Sequence, residues 1–368
     1  MPDPAGCVKK AALAAVFLAM GGAALSCIGP SAGRPLWAGA RFSSADRNRA
    51  VQRGLHFIYS IARTPKYFNE WGFDLLWCLH CISATSKDPG LRQTAWNMGH
   101  ERALEWRRLN PSLPPNAGAD VVAWFASASD VADRLGARDE GIKEQIRRAA
   151  ARFTARDFLS FDPTREPPPA DVPRQCRRCG RYNPRGVRNC QKCGTPLKMQ
   201  SRYDVWYDAL ITTYTGDTYG VTLGAHYPDV TRWISVMRPY RGRENNPEFY
   251  ETVYAVTHVV YTLNDYSRYR LSPQSLPDEF AYLKGTMHEF MTERDSETVG
   301  EYLDTLRSFG MTEADPLIQS GMSFLLSTQN PDGSWGDMKD PDIYSRYHPT
   351  WTAVDGLREY RWEKTLKP

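Results

Sequence analysis

From residue 45 onward, apolar residues recur at helical spacing almost to the C-terminus. Ala50, Val51, Leu55, Ile58 and Ile61 lie three or four apart and make one face of a helix. Similar stretches follow, with Gly, Pro and Asn clustered between them, and they group in pairs. The first pair spans 45–63 and 72–85, the second 91–109 and 118–133, and the third 138–158 and 203–215. The fourth spans 221–238 and 249–264, the fifth 276–293 and 297–310, and the sixth 315–328 and 347–361. The pattern predicts an all-α fold of six hairpins, each an outer helix followed by an inner one.

The pairs also repeat in sequence. Phe73-Asp74 with Trp77, Tyr203-Asp204 with Tyr207, Tyr250-Glu251 with Tyr254, and Tyr347-His348 with Trp351 share one template. It reads aromatic, polar, two residues, aromatic. Inner helices 2 and 5 fit less well, through Asp120 and Trp124 and through Glu301. Six such pairs can close into an (α/α)6 toroid or stack as a linear solenoid. In a toroid the inner helices run parallel and their N-termini meet at one mouth. Asp74, Asp204, Glu251 and His348 would then surround it as candidate catalytic residues. For Asp74 and Asp204 the plainer role is capping, since a carboxylate at a helix start accepts free N–H groups and suits the positive dipole end. An imidazole is a poor N-cap, which raises the functional weight of His348.

Gly321-Met322-Ser323-Phe324-Leu325, Gln329 and Gly333-Ser334-Trp335 resemble the QW repeat of the squalene-hopene cyclase and protein prenyltransferase superfamily. Ser320 stands where that repeat has a basic residue. Arg53-Gly54-Leu55-His56-Phe57-Ile58 repeats the same opening near the start of the chain. The resemblance implies a toroid of paired helices, with Trp335 packing and Gln329 capping or bridging. It carries fold further than activity. The chain has no Asp-x-Asp-Asp cluster for alkene protonation. Of the Asp, Cys and His zinc ligands of prenyltransferase β-subunits, only His348 carries over, in the context Tyr347-His348-Pro349-Thr350-Trp351.

Between outer helix 3 and inner helix 3 the pattern is interrupted by Cys176-x-x-Cys179 and Cys190-x-x-Cys193, each followed by Gly, at 180 and 194. Two such knuckles, ten residues apart, are the spacing of a structural Zn(Cys)4 ribbon with one ion, closed to substrate. Two disulfides are the alternative in an oxidising compartment. This insertion, 166–200, separates a first helical part at 45–165 from a second at 201–368. In a toroid it would overhang the mouth. It is basic, with Arg174, Arg177, Arg178, Arg181, Arg185, Arg188, Lys192 and Lys198. Nucleic acid, anionic headgroups, an acidic protein or solvent alone would suit such a surface.

The N-terminus departs from the helical repeat. Lys9-Lys10 precede an apolar run from Ala11 to Leu25 that ends in Ser26-Cys27. This matches an export signal over 1–27, with 28–44 as linker. Ala24-Leu25-Ser26-Cys27 resembles a lipoprotein processing site, which would put a lipid on Cys27. A retained single span is the alternative. The chain is expected in the periplasm or cell envelope, held to the membrane by the signal or the lipid. Cys7 would leave with the signal.

The 368 residues suffice for a sizeable core, and the net charge of +4 gives no global field toward nucleic acid. Aromatics make up 12%, enough to line a cavity as well as fill a core. Cys78-Leu79-His80-Cys81 lies in an apolar segment and reads as core. His258 and Asp355 occupy equivalent positions one turn below Tyr254 and Trp351, as a possible acid/base pair. Tyr214 to Gly220 reads as a turn. Three readings of function result. The first is a binding or scaffold protein that takes a small molecule or a protein through an aromatic cavity. The second is an enzyme acting on an isoprenoid or lipid-like ligand. The third is a carbohydrate-active hydrolase or lyase with paired carboxylates.

Overall fold

A computed structural model describes residues 42–366 except 175, 177, 180, 182, 184, 185 and 245. The expected signal, Cys27 and the linker up to residue 41 lie outside the described residues, as do Arg177, Gly180 and Arg185 of the insertion. The described chain is mostly helical. No helix among the described residues is long and apolar enough to cross a membrane.

Helix starts follow local chemistry. In α1 (Ser44–Ala62) the Ser43 hydroxyl accepts from the Asp46 N–H, and the Asp46 carboxylate accepts from the Ser43 N–H, a closed capping box. Proline occupies the first turn of α2 (Pro65–Thr85), α3 (Pro89–Leu109), α11 (Pro277–Glu293) and α13 (Pro316–Thr328), where its missing N–H costs nothing. Asp88 caps α3, and Asp295 caps α12 (Ser296–Ser308). The other inner helices are α4 (Ala119–Arg134), α7 (Arg202–Tyr219), α10 (Phe249–Leu263) and α14 (Tyr344–Leu357).

Two expected outer helices are broken. The third is split into α5 (Glu140–Ala150) and α6 (Ala155–Leu159), because Thr154 and Asp157 form a second capping box that restarts the chain. The fourth is reduced to α8 (Tyr227–Thr231) and α9 (Ile234–Met237), after Gly224 at φ +86°, with Pro228 in the first turn of α8. The expected turn at Tyr214–Gly220 is mostly helix: α7 continues to Tyr219 and ends on Gly220 at φ 74°.

Inner helices pack in sequence order, α2 on α4, α4 on α7, α7 on α10, α10 on α12, and α12 on α14. The last hairpin meets the first: α13 and α14 both pack on α1. The QW-like segment makes that contact. Gln329 Nε2 donates to the Ala50 carbonyl of α1 at 2.9 Å and to the Gly333 carbonyl at 3.0 Å. Trp335 is fully buried and donates to the Leu325 carbonyl at 2.8 Å. Arg53 on α1 donates to the carbonyls of Asn330 and Pro331. Beyond α14 the chain stays attached to α2, through Arg361 N–H to the Thr85 carbonyl at 2.7 Å. It then pairs β4 (Thr365–Leu366) in parallel with β3 (Arg270–Leu271).

The insertion leaves the helices on a short antiparallel stem, β1 (Val172–Pro173) with β2 (Met199–Gln200).

Candidate functional site

Five inner helices contribute the polar residue of the sequence template to one cavity of about 180 Å³. Asp74 comes from α2, Asp204 from α7, Glu251 from α10, Glu297 from α12 and His348 from α14. All four residues singled out from sequence are among them, and Glu297 is the one the sequence reading missed. The second template aromatics Trp77, Tyr207, Tyr254 and Trp351 line the same space, with Tyr344 stacked on His348 at 4.9 Å. The remaining inner helix, α4 of the second hairpin, gives only Ser127, and Asp120 is absent from the lining.

Their positions on the helices differ from the expected ring of N-termini. Pro65 starts α2 well before Asp74, so Asp74 sits mid-helix and does not cap it. Its carboxylate accepts from the Tyr347 hydroxyl. Asp204 does complete a capping box, accepting from the Ser201 N–H at 2.8 Å, and its other oxygen pairs with Arg174 at 2.6 Å. Both members of that pair are buried. Glu251 lies in the first turn of α10, half-buried, and burial raises its pKa. His348 lies in the first turns of α14.

The centre of the site is His348 with Glu297. His348 Nδ1 is 3.1 Å from Glu297 Oε1, an ion pair whose angle falls outside hydrogen-bond geometry. Burial alone would push the imidazole pKa down. The charge of Glu297, with smaller contributions from Asp74 and Glu301, outweighs burial and lifts His348 to about 9. His348 is therefore an imidazolium at neutral pH. Glu297 is the reciprocal case. Burial would raise it, but the His348 charge and the Tyr254 hydroxyl, which donates at 2.8 Å, hold it below the ordinary range.

One helical turn further along α12, Glu301 goes the other way. Burial raises it to about 8 against the His348 charge and the Thr257 hydroxyl, which donates at 2.8 Å. Two carboxyls on one helix face thus carry opposite protonation at neutral pH. Asp74 is also raised by burial, with His348 opposing.

The approach of α14 to α12 that makes this pair possible rests on Gly300. A Cβ there would lie 2.4 Å from the Thr352 carbonyl, and Gly300 faces Gly356 across the contact. Gly300 occupies the template slot that is aromatic in α2, α7, α10 and α14.

A smaller space of about 60 Å³ shares His258, Tyr266, Glu301, His348 and Trp351 with the first. His258 and Asp355 both border it. They do not pair: Asp355 is bound to Arg358 at 2.6 Å, and His258 Nδ1 bonds the Tyr254 carbonyl at 2.7 Å. Burial pushes His258 down to about 4, so it is neutral. Cys78 and Cys81 are buried thiols raised by burial, and His80 is pushed down to about 3. All three belong to packing.

The insertion brings Cys176, Cys179, Cys190 and Cys193 together, their sulfurs all within 4.8 Å of one another. Cys176–Cys193 and Cys179–Cys190 Sγ distances are 3.5 Å. A disulfide needs about 2.05 Å. Four thiolates about 2.3 Å from a tetrahedral ion lie about 3.8 Å apart. The cluster therefore fits one metal ion and not two disulfides. It is the one such cluster among the described residues. The stem below it reaches the cavity: Arg174, next to β1, and Lys198, next to β2, both line the wall. The sequence put Arg174 and Lys198 only in a basic surface.

Compared with protein-family models, curated proteins and solved structures, the chain matches none.

Proposed function

We propose that the hairpins form an (α/α)6 toroid and that its central cavity is the active site of a carbohydrate-active hydrolase. The contact order of the inner helices, together with the packing of α13 and α14 on α1, supports the toroid over an open solenoid. The observation that carries the activity is the Glu297/Glu301 pair, two carboxyls of one helix whose protonation is split within an aromatic cavity. Glycoside hydrolysis needs that division of labour: one acid to protonate the leaving oxygen and one carboxylate to take a proton from water. In this reading Glu301 gives its proton to the glycosidic oxygen as the C–O bond breaks. Glu297 accepts a proton from the water that attacks the sugar carbon. His348 keeps Glu297 ionised, and Trp77, Tyr207 and Trp351 offer ring faces for sugar stacking.

An isoprenoid substrate fits less well, because carboxyls and an imidazolium stand among the aromatics. A plugged, purely structural centre is disfavoured by the open space. The cysteine cluster we assign to a structural zinc ion, since four thiolates at this spacing leave no open coordination position. The exported, lipid-anchored location stays part of the proposal, and rests on Lys9 to Cys27.

The test is a screen of the mature protein against neutral and acidic oligosaccharides, read as reducing ends released and as heat of binding. Turnover that falls by about 10²–10⁴ in Glu301→Gln, with binding kept, supports the hydrolase. Binding without turnover would support the binding-protein reading in its place. Absence of both would remove carbohydrate from the cavity.

A further inference from the structure

The charge of this chain is segregated. Residues 171–200 hold eight Lys or Arg and a single acid, Asp171, a formal +7; the whole chain carries +4, so everything else sums to −3. Four thiolates around a divalent ion add −2, which leaves the loaded insertion at about +5. The positive charge is thus more than the neutralisation of a thiolate cluster. Arg178, Arg181, Arg188 and Lys192 are exposed, and the one acid, Asp171, reaches Arg188 only at 3.8 Å. The stem that carries this surface also forms part of the cavity wall, through Arg174 and Lys198.

We propose that the insertion is the docking surface for an acidic polysaccharide, a polyuronate chain, whose end is delivered to the cavity. The inference rests on the carbohydrate reading of that cavity for its delivery step. Three features favour this polyanion. Of the exposed cations Arg178, Arg181, Arg188 and Lys192, three are Arg, whose planar fork matches a carboxylate in two parallel hydrogen bonds, while Arg174 is already buried against Asp204. The described part of the insertion exposes no large apolar side chain that would enter a bilayer. The rest of the chain carries a net negative charge, so the insertion is the segment where a polyanion meets an excess of cations.

The experiment uses the full mature chain with its metal, and polygalacturonate as the probe. Affinity is measured by titration calorimetry at low and moderate salt. The comparison protein carries Arg178→Gln, Arg181→Gln, Arg188→Gln and Lys192→Gln together, with metal content checked by native mass spectrometry. The expected result is polygalacturonate binding that weakens roughly tenfold or more in the variant, and falls steeply with salt. A short neutral oligosaccharide should bind both proteins equally. Should the fourfold variant lose its metal, the single exchanges Arg178→Glu and Lys192→Glu give the same comparison. Unchanged affinity in the variants overturns the proposal, as does tighter binding of duplex DNA or of phosphatidylglycerol vesicles than of polygalacturonate. Ribbon-dependent binding with no turnover of any oligosaccharide would remove the cavity reading and leave the docking surface standing.

Discussion

His348 holds its proton chiefly because the Glu297 carboxylate faces it, and that has a cost in alkali. In the unfolded chain its pKa is 6.5, and in the folded chain about 9. Between those values the native state binds more protons than the unfolded state, so stability falls as pH rises. Glu301, raised from 4.5 to about 8, acts in the same direction at lower pH. Chemical denaturation from pH 6.5 to 9 should show stability declining, and His348→Gln should flatten that slope. Activity against a glycoside should fall as pH rises through about 8, when Glu301 loses the proton it donates. In Glu301→Gln the residual rate should no longer follow that ionisation. A pH–rate profile checks both.

At the scale of the helix, small residues decide how close charges come. Gly300→Ala would drive a methyl into the Thr352 carbonyl, which overpacking of this kind charges at about 1–3 kcal/mol. It should also part Glu297 from His348, which NMR titration of the imidazole would report as a lowered pKa. The same glycine explains a limit of the sequence. The aromatic–polar template found Asp74, Asp204, Glu251 and His348, because each has its flanking ring. Glu297 has Ser296 before it and Gly300 after it, and a pattern built on aromatics passes over it. The one available signal was the Glu at both 297 and 301, one turn apart. Asp74 was legible as a residue and not as a role, since the expected helix over 72–85 put it near a start that Pro65 in fact supplies. Thr154 and Asp157, a readable capping box, would have divided the third outer helix in advance. The cysteine knuckles needed no fold to be found, because their ligand geometry is local. Removal of the ion by a strong chelator should release one metal per chain and leave far-UV circular dichroism nearly unchanged, since the described insertion contains no helix.

At the scale of the whole molecule, two side-chain contacts between segments distant in sequence hold the insertion to α7 and the last hairpin to α1. Arg174 carries the stem onto α7 through Asp204. Arg174→Ala would leave that carboxylate buried and unpaired, a loss of about 3–5 kcal/mol in thermal or denaturant unfolding. Arg174→Ala with Asp204→Asn should recover much of it. The all-α character and most of the helices were readable from the spacing, while the third and fourth outer helices are broken. How the ends meet was not, since it depends on Gln329 reaching Ala50, 279 residues earlier, and no local pattern records such a bond.

That single bond bears on how the protein is made. Because α13 and α14 both pack on α1, α1 cannot be fully covered as the chain emerges from its N-terminus and must wait until residues beyond 316 arrive. Synthesis halted before that point should yield a species that binds a hydrophobic dye and is cut rapidly by protease near α1, and a separately supplied C-terminal hairpin should protect it.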